Sequence, residues 1–446
     1  MTAREAALVS LQRYENNKKF ANIEADNAIR RNGLEGADRA LYTAVFYGTI
    51  ERKITLDHII DALSSRAPSE IDANVRMILR MSIYQMRYMD RVPDYAILKD
   101  AGELCRRFAA NSAVAFVNAV LRAYRREEGR IPFPNEETDP IAYLSVTYSY
   151  PAWLARMWCE GYGYARTKRL FAAMEENPHI TLRVNTQKTD REAYLALCRQ
   201  QTVGAAPTRF APHGVRLSCH CPIDLIPGLA EGLCYVQDEA SQIAVDVLGA
   251  VPGEHIIDAC ACPGGKSFGI AMSMRDTGKL YSCDLHKNKL KLVDDGAGAL
   301  GLSCIETLEQ NGSVPVPEWE GKADRVLCDV PCSGLGVLAK KPDIRHKAEE
   351  ELSRLPQLQY AILENCSRYV REGGRLMYST CTLNPAENEQ NVQRFLKEHP
   401  EFVPTPFSVG EGDARRTYQS GMLCIFPDEY RDCDGFFIAL FQKKDM

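Results

Sequence analysis

The stretch Ile256–Ser267 reads IIDACACPGGKS and joins an apolar strand pattern directly to a glycine turn. Strand and helix patterns alternate from this stretch through residues 236–446, and such alternation predicts a parallel sheet with helices on both faces. Further along, Asn384, Pro385 and Glu387 predict the capped start of a helix. The C-terminal part is therefore expected to be an α/β, Rossmann-like domain with a doubly wound, mostly parallel sheet.

The glycine turn indicates which ligand this sheet binds. Ligands of doubly wound sheets lie beyond the carboxyl ends of the strands. A phosphate-binding loop is excluded because Cys260 occupies the position of its first glycine, and a three-glycine dinucleotide fingerprint is absent as well. Asp284 ends the next strand about 20 residues on, where a carboxylate can accept both hydrogen bonds of a ribose diol. The pattern favours S-adenosylmethionine, with a tight turn and a helix cap as the purely structural alternative.

Two cysteines and a carboxylate follow the fourth and fifth strands of the same sheet. The segment DVPCSG contains Asp329 and Cys332, and the segment YSTC ends at Cys381. Buried cysteines are usually inert packing, but parallel strands end at one edge, so these groups can surround one ligand. A thiolate that adds to carbon 6 of a pyrimidine makes carbon 5 nucleophilic towards a methyl group. The carboxyl group can take up charge at the N3 side of the ring. The second thiol can assist the release of the first thiol from carbon 6.

The chain before residue 236 divides into two further parts. Residues 1–130 carry apolar stripes at helical spacing and predict an all-α domain. The stripes comprise Val75, Ile78, Leu79, Ile83, Met86, Ile97, Ala101, Leu104, Phe108, Val114, Val117, Val120 and Leu121. A proline-containing linker is expected near residues 128–140. Residues 141–235 combine strand patterns, such as HITLRVNT, with one capped helix pattern, and they predict a small α+β module.

Composition narrows the protein class. The 446 residues are 45% hydrophobic and 25% charged, as expected of a multidomain globular protein, and no apolar run reaches the length of a membrane span. Without a secretory signal, the 16 cysteines are expected to be reduced thiols in the cytoplasm. The segment SCHC, Ser218 to Cys221, has spacing too tight for paired zinc ligands. We therefore expect no metal and no membrane partner, and we expect a monomer.

Charge is distributed unevenly along the chain. The net charge is −5, but residues 1–130 contain 21 Lys and Arg against 17 Asp and Glu. The basic excess lies in Arg106, Arg107, Arg122, Arg125, Arg126 and Arg130. These side chains can contact the phosphates of a nucleic acid. The alternative is an ordinary solvated helix face.

Taken together, the motifs resemble the RNA cytosine-carbon-5 methyltransferases. DACACPGGKS is similar to the cofactor loop of that family, usually D-x-C-A-A-P-G-G-K-T, with Cys262 and Ser267 as mild departures. DVPCSGLGVLAKKPDIRH resembles its D-A-P-C-S-G-x-G motif and the basic-Pro-Asp segment that follows. YSTCTLNPAENE is similar to T-C-S-x-x-x-x-E-N-E, and LRVNTQK, YVQDEASQ and DGFFIALFQK resemble its remaining motifs. The resemblance covers nearly the whole chain.

This resemblance implies a role for each matched residue. Cys381 would be the nucleophile, Cys332 the cysteine that promotes release, and Asp329 a contact to cytosine. The residues implied to bind S-adenosylmethionine are Cys260, Ala261, Cys262, Pro263, Gly264, Gly265, Lys266, Asp284, Asn311 and Asp329. Asn311 stands where the family often has an aspartate near the adenine.

The N-terminal segments AALVSLQRY, ILRMSIYQM, VPDYAILKDAGELCRRF and FVNAVLRAYRR resemble NusB-type RNA-binding domains. This combination is similar to the Sun/RsmB-type bacterial enzymes, which implies 16S ribosomal RNA or an early small-subunit particle as the partner. The residues expected to contact RNA are Arg106, Arg107, Arg125, Arg126, Arg183 and Lys341.

Two other functions fit parts of the sequence. A non-catalytic, NusB-like assembly or antitermination factor would not require the two thiols and the complete glycine turn. A DNA cytosine methyltransferase carries its attacking cysteine in the Pro-Cys motif, so the additional Thr-Cys at Cys381 favours RNA.

Overall fold

The computed structural model describes residues 1–17, 21–176, 178–218 and 222–445. The chain forms two compact units, of which the first contains Met1–Glu175 and Lys340–Lys347 and the second contains Glu176–Ala339 and Ala348–Met446. Cys219, His220 and Cys221 of the SCHC segment lie outside the described residues. Within the described ranges, every helix is too short or too polar to cross a bilayer.

The first unit is built of helices, which confirms the all-α prediction for the N-terminal part. Its helices are α1 (Ala3–Asn17), α2 (Ala21–Asn32), α3 (Gly36–Glu51), α4 (Lys53–Leu63), α5 (Ala73–Tyr88), α6 (Asp94–Phe108), α7 (Ala113–Glu127), α8 (Pro140–Tyr148), α9 (Ala152–Tyr162) and α10 (Tyr164–Ala173). The last three belong to this unit although their sequence lies beyond residue 130.

The predicted apolar stripes of α5, α6 and α7 face the core of this unit. Ile78, Ile97 and Leu121 are each at most 1% exposed. Burying an aliphatic side chain of this size contributes about 1.5–3 kcal/mol, so each of these residues stabilises the bundle substantially. The start of α5 is fixed by the carboxylate of Asp72, which accepts hydrogen bonds from the backbone amides of Asn74 and Val75.

A short segment from the C-terminal half of the sequence, Lys340–Lys347, also belongs to the first unit. Arg345 is 1% exposed, and its guanidinium lies 4.1 Å from the ring centroid of Tyr150. The Nε2 atom of His346 lies 2.7 Å from the carbonyl oxygen of Ile50. Burial lowers the pKa of His346 to about 4, so this imidazole is neutral at pH 7. These contacts hold the segment against the helices.

The second unit begins with a small antiparallel sheet, which confirms the α+β module. Its strands are β1 (Thr181–Val184), β2 (Ala205–Pro207), β3 (Gly214–Leu217) and β4 (Cys234–Val236), in the order β2-β3-β1-β4. Helix α11 (Arg191–Gln200) packs beside them and begins at Asp190, whose side chain accepts the backbone N–H of Ala193.

The large sheet carries the doubly wound pattern predicted from residue 236 onward. Its strands are β5 (His255–Asp258), β6 (Lys279–Asp284), β7 (Ile305–Glu309), β8 (Ala323–Asp329), β9 (Val370–Thr380), β10 (Phe402–Pro404), β13 (Met422–Ile425) and β14 (Phe436–Lys443). Strands β5 to β9 pair in parallel, and the order along the sheet is β10-β14-β9-β8-β5-β6-β7, with β13 beside β14. Chain order reverses between β5 and β8, which is where such sheets bind their ligands.

The remaining elements surround this sheet. They are α12 (Glu239–Leu248), α13 (Gly265–Ser273), α14 (Lys287–Leu300), α15 (Glu349–Leu352), α16 (Leu355–Ser367), α17 (Glu389–Glu398) and the two-stranded ribbon of β11 (Phe407–Val409) and β12 (Arg416–Tyr418). The predicted helix start at Asn384 is wrong, because residues 385–388 form turns and the helix begins at Glu389. The carboxylate of Glu387 bonds to other segments instead of capping its own helix.

Candidate active site

The glycine turn leaves β5 at the reversal point of the sheet and leads into α13. The backbone amide of Ala261 donates to the carbonyl of Cys283 at 2.7 Å, which ties the turn to the end of β6. Gly264 adopts a φ of +112°, and a Cβ atom there would lie 2.4 Å from the ring of Phe268. Glycine is therefore required at 264 by backbone conformation and by packing against Phe268.

A buried carboxyl group at the end of β5 holds this turn in place. Asp258 is fully buried at the end of β5 and accepts a hydrogen bond from the hydroxyl of Ser267 at 2.7 Å. The hydroxyl of Ser282 on β6 donates in turn to Ser267 at 2.8 Å. Burial is the main cause that raises the pKa of Asp258 to about 7. The serine of the GGKS sequence thus links β5, β6 and α13.

This buried carboxyl group predicts a pH dependence of stability. Because its folded-state pKa of about 7 lies above the ordinary value of 3.8, the folded protein binds the proton more tightly, and stability falls as pH rises between these values. Asp258→Asn removes the titration while keeping an oxygen for Ser267. From pH 4 to pH 7.5 the stability of this variant should rise relative to wild type, by up to about 4 kcal/mol. Urea unfolding of both proteins measures the difference, and a difference independent of pH would contradict the assignment.

Lys266 connects the glycine turn to the end of β8. Its ammonium lies 2.7 Å from Oδ2 of Asp329, and the hydroxyl of Ser379 on β9 donates to Oδ1 of the same carboxylate at 2.7 Å. Burial alone would lower the pKa of Lys266, but the charge and hydrogen bond of Asp329 outweigh it and the net pKa is raised. A thiolate at Cys381 acts in the same direction. A cation therefore lies beside both the carboxylate and one of the thiols.

The two predicted cysteines come together although they are 49 positions apart in sequence. The Sγ atoms of Cys332 and Cys381 are 3.2 Å apart, within the range of an S–H···S hydrogen bond. The pKa of Cys332 is raised by its hydrogen bond to Cys381, by burial, and by the charges of Cys381 and Glu387. Cys332 therefore carries its proton at neutral pH.

The other thiols of the region are poor nucleophiles. Burial is the first cause that raises the pKa of Cys260, Cys283 and Cys328 far above the ordinary thiol value. Burial and the neighbouring carboxylate of Asp284 raise the pKa of Cys262 to about 12. All four are therefore protonated at neutral pH.

Asp284 and Asn311, two of the residues expected to bind the cofactor, follow β6 and β7. One carboxylate oxygen of Asp284 accepts the backbone N–H of His286 at 2.9 Å, and the side chain also neighbours Cys262. The amide oxygen of Asn311 accepts the N–H and the hydroxyl of Ser313, at 3.0 and 2.8 Å. Both acceptor positions of that oxygen are therefore used locally.

The residues expected to contact RNA fall into two classes. Arg106, Arg107, Arg125, Arg126 and Lys341 are exposed in the first unit, in line with that expectation.

Arg183 is different, and the prediction that it contacts RNA is wrong. It is 1% exposed, and its guanidinium donates to Asp246 at 2.9 Å. It lies on β1, a strand with all four residues buried, where its charge is neutralised inside the fold.

Arginines also surround a cavity of about 370 Å³ between α5, α6 and α7. Arg122, Arg125 and Arg126 line it together with apolar side chains of the three helices. Arg125 is partly neutralised there, since it lies 2.8 Å from both Asp94 and Glu128. No group of three His, Cys, Asp or Glu side chains suited to a metal ion occurs among the residues that the structure describes.

Residues 245–442 match the family described as 16S rRNA methyltransferase RsmB/F. The "Probable ribosomal RNA small subunit methyltransferase B" of Bacillus subtilis (strain 168) is 34% identical over 449 residues, which is 99% of both chains. The chain belongs to the RsmB/F family. A protein of the same description from Synechocystis sp. (strain ATCC 27184 / PCC 6803 / Kazusa) is also 34% identical, over 99% of this chain and 100% of that one.

The other parts of this RsmB/F-family chain match as well. Residues 1–126 match the NusB family, and residues 150–224 match the ferredoxin-like domain of RsmF/B-like methyltransferases. The crystal structure of PH0851 superposes with a TM-score of 0.81 at 26% identity and covers 99% of both chains. These matches confirm the predicted family and fold class, with a helical NusB region, a small α+β module and a Rossmann-like methyltransferase sheet.

Sequence reasoning missed three contacts of this site. The Lys266–Asp329 pair and the bonds of Glu387 join different segments of the chain, and the Asp258–Ser267 bond joins the two ends of the glycine turn. A polar residue at the end of an apolar strand was the available signal for Asp258. No spacing rule pairs positions 266 and 329, so that contact required the folded chain.

Proposed function

We propose that this RsmB/F-family protein transfers a methyl group from S-adenosylmethionine to carbon 5 of a cytosine in 16S rRNA, through a covalent bond from Cys381. The observation that carries the proposal is the pair of sulfurs 3.2 Å apart beside the Lys266–Asp329 ion pair. One sulfur can attack while the other holds a proton, and a charged pair is available to the ring of the base.

In the first step Cys381 attacks as a thiolate. The ammonium of Lys266 stabilises its negative charge, and Cys332 donates its S–H to it. The Cys381 sulfur bonds to carbon 6 of cytosine, and the electron pair of the 5,6 double bond moves onto carbon 5 and into the ring. The carboxylate of Asp329, held by Lys266 and Ser379, accepts a hydrogen bond from the amino group of the base and orients it.

In the second step carbon 5 bonds the methyl group while the bond between that methyl and its sulfur breaks. S-adenosylmethionine, when bound, supplies this methyl on a positively charged sulfur that leaves neutral. The chain's part is to hold carbon 5 in line with it, because a reaction between two aligned groups avoids the entropy cost of bringing them together.

In the third step carbon 5 loses its proton and Cys381 is released. Once Cys381 is bonded to carbon, its charge and its hydrogen bond no longer raise the pKa of Cys332. Cys332 then loses its proton to solvent and accepts the proton from carbon 5. The electrons of the carbon–hydrogen bond restore the 5,6 double bond, and the carbon–sulfur bond breaks to regenerate the Cys381 thiolate.

The residues at the ends of β5 and β6 fit S-adenosylmethionine by their chemistry. The turn of residues 260–265 brings backbone groups to the reversal point of the sheet, where no side chain extends from Gly264 or Gly265. The carboxylate of Asp284 supplies an acceptor for a ribose hydroxyl. Since the oxygen of Asn311 is used by Ser313, a contact from Asn311 to the adenine would come from its amide N–H group.

Ribosomal RNA as the substrate rests on the family and its relatives. The cytosine must leave its stack to reach thiols at the sheet edge, so unpaired or flexible RNA is the form that can react. The exposed arginines of α6 and α7 can hold the phosphates of flanking nucleotides.

The proposal is tested by incubating the protein with 16S rRNA transcript and methyl-labelled S-adenosylmethionine, then digesting the RNA to nucleosides. Label in 5-methylcytidine supports the assignment. Label in another nucleoside contradicts the cytosine chemistry. No label, together with no thermal stabilisation by millimolar S-adenosylmethionine, would favour a non-catalytic RNA-binding factor instead.

The exposed arginines predict a change in the salt dependence of RNA binding. Arg106→Gln and Arg126→Gln should each lower the slope of log affinity against log salt by about 1, because each removes one phosphate contact. The turnover number at saturating RNA should not change. Filter binding at several salt concentrations measures the slope, with Arg394→Gln on α17 as the matched control. If the two variants show the same salt dependence as the control, these arginines do not contact RNA phosphates.

A further inference from the structure

Glu387 is a fully buried carboxylate in the turn between β9 and α17. Three neutral donors bind it: the backbone N–H of Ser333 at 2.9 Å, the side-chain amide of Gln359 at 2.7 Å, and that of Asn384 at 2.9 Å. Burying a charged group is costly unless it is hydrogen-bonded. The three donors offset this cost and fix the position of the carboxylate.

The bonds of Glu387 and Gln359 hold the backbone on both sides of Cys332. Glu387 accepts from the N–H of Ser333, the residue that follows Cys332. The same Gln359 amide nitrogen that donates to Glu387 also donates to the carbonyl of Pro331, the residue that precedes it, at 3.0 Å. The position of the Cys332 backbone is thus set by a carboxylate that belongs to the loop of Cys381.

A second link joins the same two loops. The hydroxyls of Ser333 and Thr382 are 2.6 Å apart, and each residue directly follows one of the two cysteines. The backbone N–H of Gly336 donates to the carbonyl of Cys381 at 3.0 Å. The sulfur–sulfur distance of 3.2 Å is therefore maintained by contacts on both chain segments.

We propose that Glu387 is a positioning residue that holds Cys332 against the reacting base and so controls the release of the methylated RNA. The inference rests on the proposed function, since it assigns the release step to Cys332. Formation of the covalent bond needs only Cys381, whereas its resolution needs a correctly placed Cys332. Loss of Glu387 should therefore slow the second half of the reaction more than the first.

The negative charge of Glu387 adds an electrostatic effect to this geometry. Together with the larger effects of Cys381 and burial, it raises the pKa of Cys332. A sulfur with a higher pKa is a stronger base towards the proton on carbon 5. Removal of the charge should therefore shift the pH profile of the release step to lower pH, an effect that a merely structural contact would not have.

Glu387→Gln is the test, because the amide keeps the size of the side chain but loses the charge. The amide NH2 group of the variant would also face an N–H donor, with which it cannot form a hydrogen bond. In single turnovers with 16S rRNA transcript, the detergent-resistant protein–RNA adduct should form at nearly the wild-type rate and decay about tenfold more slowly, since small misplacements of a reacting group cost at least that much. The release rate should reach its plateau at lower pH than in wild type.

Glu372→Gln is the matched control. Glu372 is an exposed glutamate on β9, the strand that leads to Cys381. It should behave as wild type. If Glu387→Gln does not fold, Gln359→Met removes the bond to Pro331 and one bond to Glu387, and the same separation of rates is expected.

The outcomes separate this inference from the proposed function. A wild-type protein that forms neither adduct nor 5-methylcytidine contradicts the proposed function itself. If the wild-type protein is active and Glu387→Gln releases the RNA at the wild-type rate, only the role of Glu387 is overturned. A variant that loses formation and release equally, with an unchanged pH profile, overturns it as well, because the contact is then structural only.

Discussion

Replacement of Cys381 by alanine is expected to abolish methyl transfer. Carbon 5 of cytosine is a poor nucleophile until a sulfur adds to carbon 6, so the loss of the attacking group removes the reaction path. The rate with 16S rRNA and S-adenosylmethionine should fall by at least about a thousandfold, as is typical when a covalent nucleophile is removed. Binding of RNA and of S-adenosylmethionine should be retained, because the sulfur is not needed for either.

The control for this variant is Cys304→Ala, which removes a partly buried thiol outside the site. It should retain wild-type activity. Methyl transfer by Cys381→Ala at the wild-type rate would eliminate Cys381 as the nucleophile. A variant that no longer melts cooperatively would be replaced by Cys381→Ser, for which the same loss is expected because a serine hydroxyl stays protonated at neutral pH and is a weak nucleophile.

Replacement of Cys332 by alanine is expected to have the opposite effect on the covalent adduct. Cys381 can still add to carbon 6 and the methyl group can still move, but the group that takes the proton from carbon 5 is missing. The protein should therefore accumulate on the RNA as a complex that survives denaturing electrophoresis. Overall turnover should fall by about a hundredfold or more, in the range typical of lost acid–base catalysis.

The double variant Cys332→Ala with Cys381→Ala distinguishes covalent trapping from tight binding. It should give no denaturant-resistant complex, because the complex of the single variant depends on the Cys381 bond. Free turnover by Cys332→Ala, or a complex that persists in the double variant, would contradict the assigned roles.

The placement of the two thiols could be predicted because it depends only on strand order. Both cysteines follow strands that end at one edge of the parallel sheet, and the structure brings their sulfurs to 3.2 Å. The same reasoning located Asp329 and the glycine turn at the reversal point between β5 and β8. Alternating strand and helix patterns fix these positions without knowledge of any contact.

Other contacts depend on side-chain geometry and could not be read from the sequence. Lys266 follows two glycines and suggests a ligand contact, yet its ammonium forms an ion pair with Asp329, 63 positions away. Arg183 stands in a basic, polar motif, yet β1 buries it against Asp246. Glu387 matches a helix-capping pattern, but its carboxylate accepts the N–H of Ser333 in the Cys332 loop. In each case a partner distant in sequence decides the position of the side chain.

The covalent bond from Cys381 is the central claim, and trapping it is the most direct test. RNA that contains 5-fluorocytidine should stop the reaction after methyl transfer, because fluorine on carbon 5 cannot leave as a proton does. Mass spectrometry of the trypsin-digested complex should then find the RNA-derived mass on the peptide of residues 376–394, which contains Cys381. The same mass on the peptide of residues 326–340, which contains Cys332, or no covalent complex at all, would contradict the account.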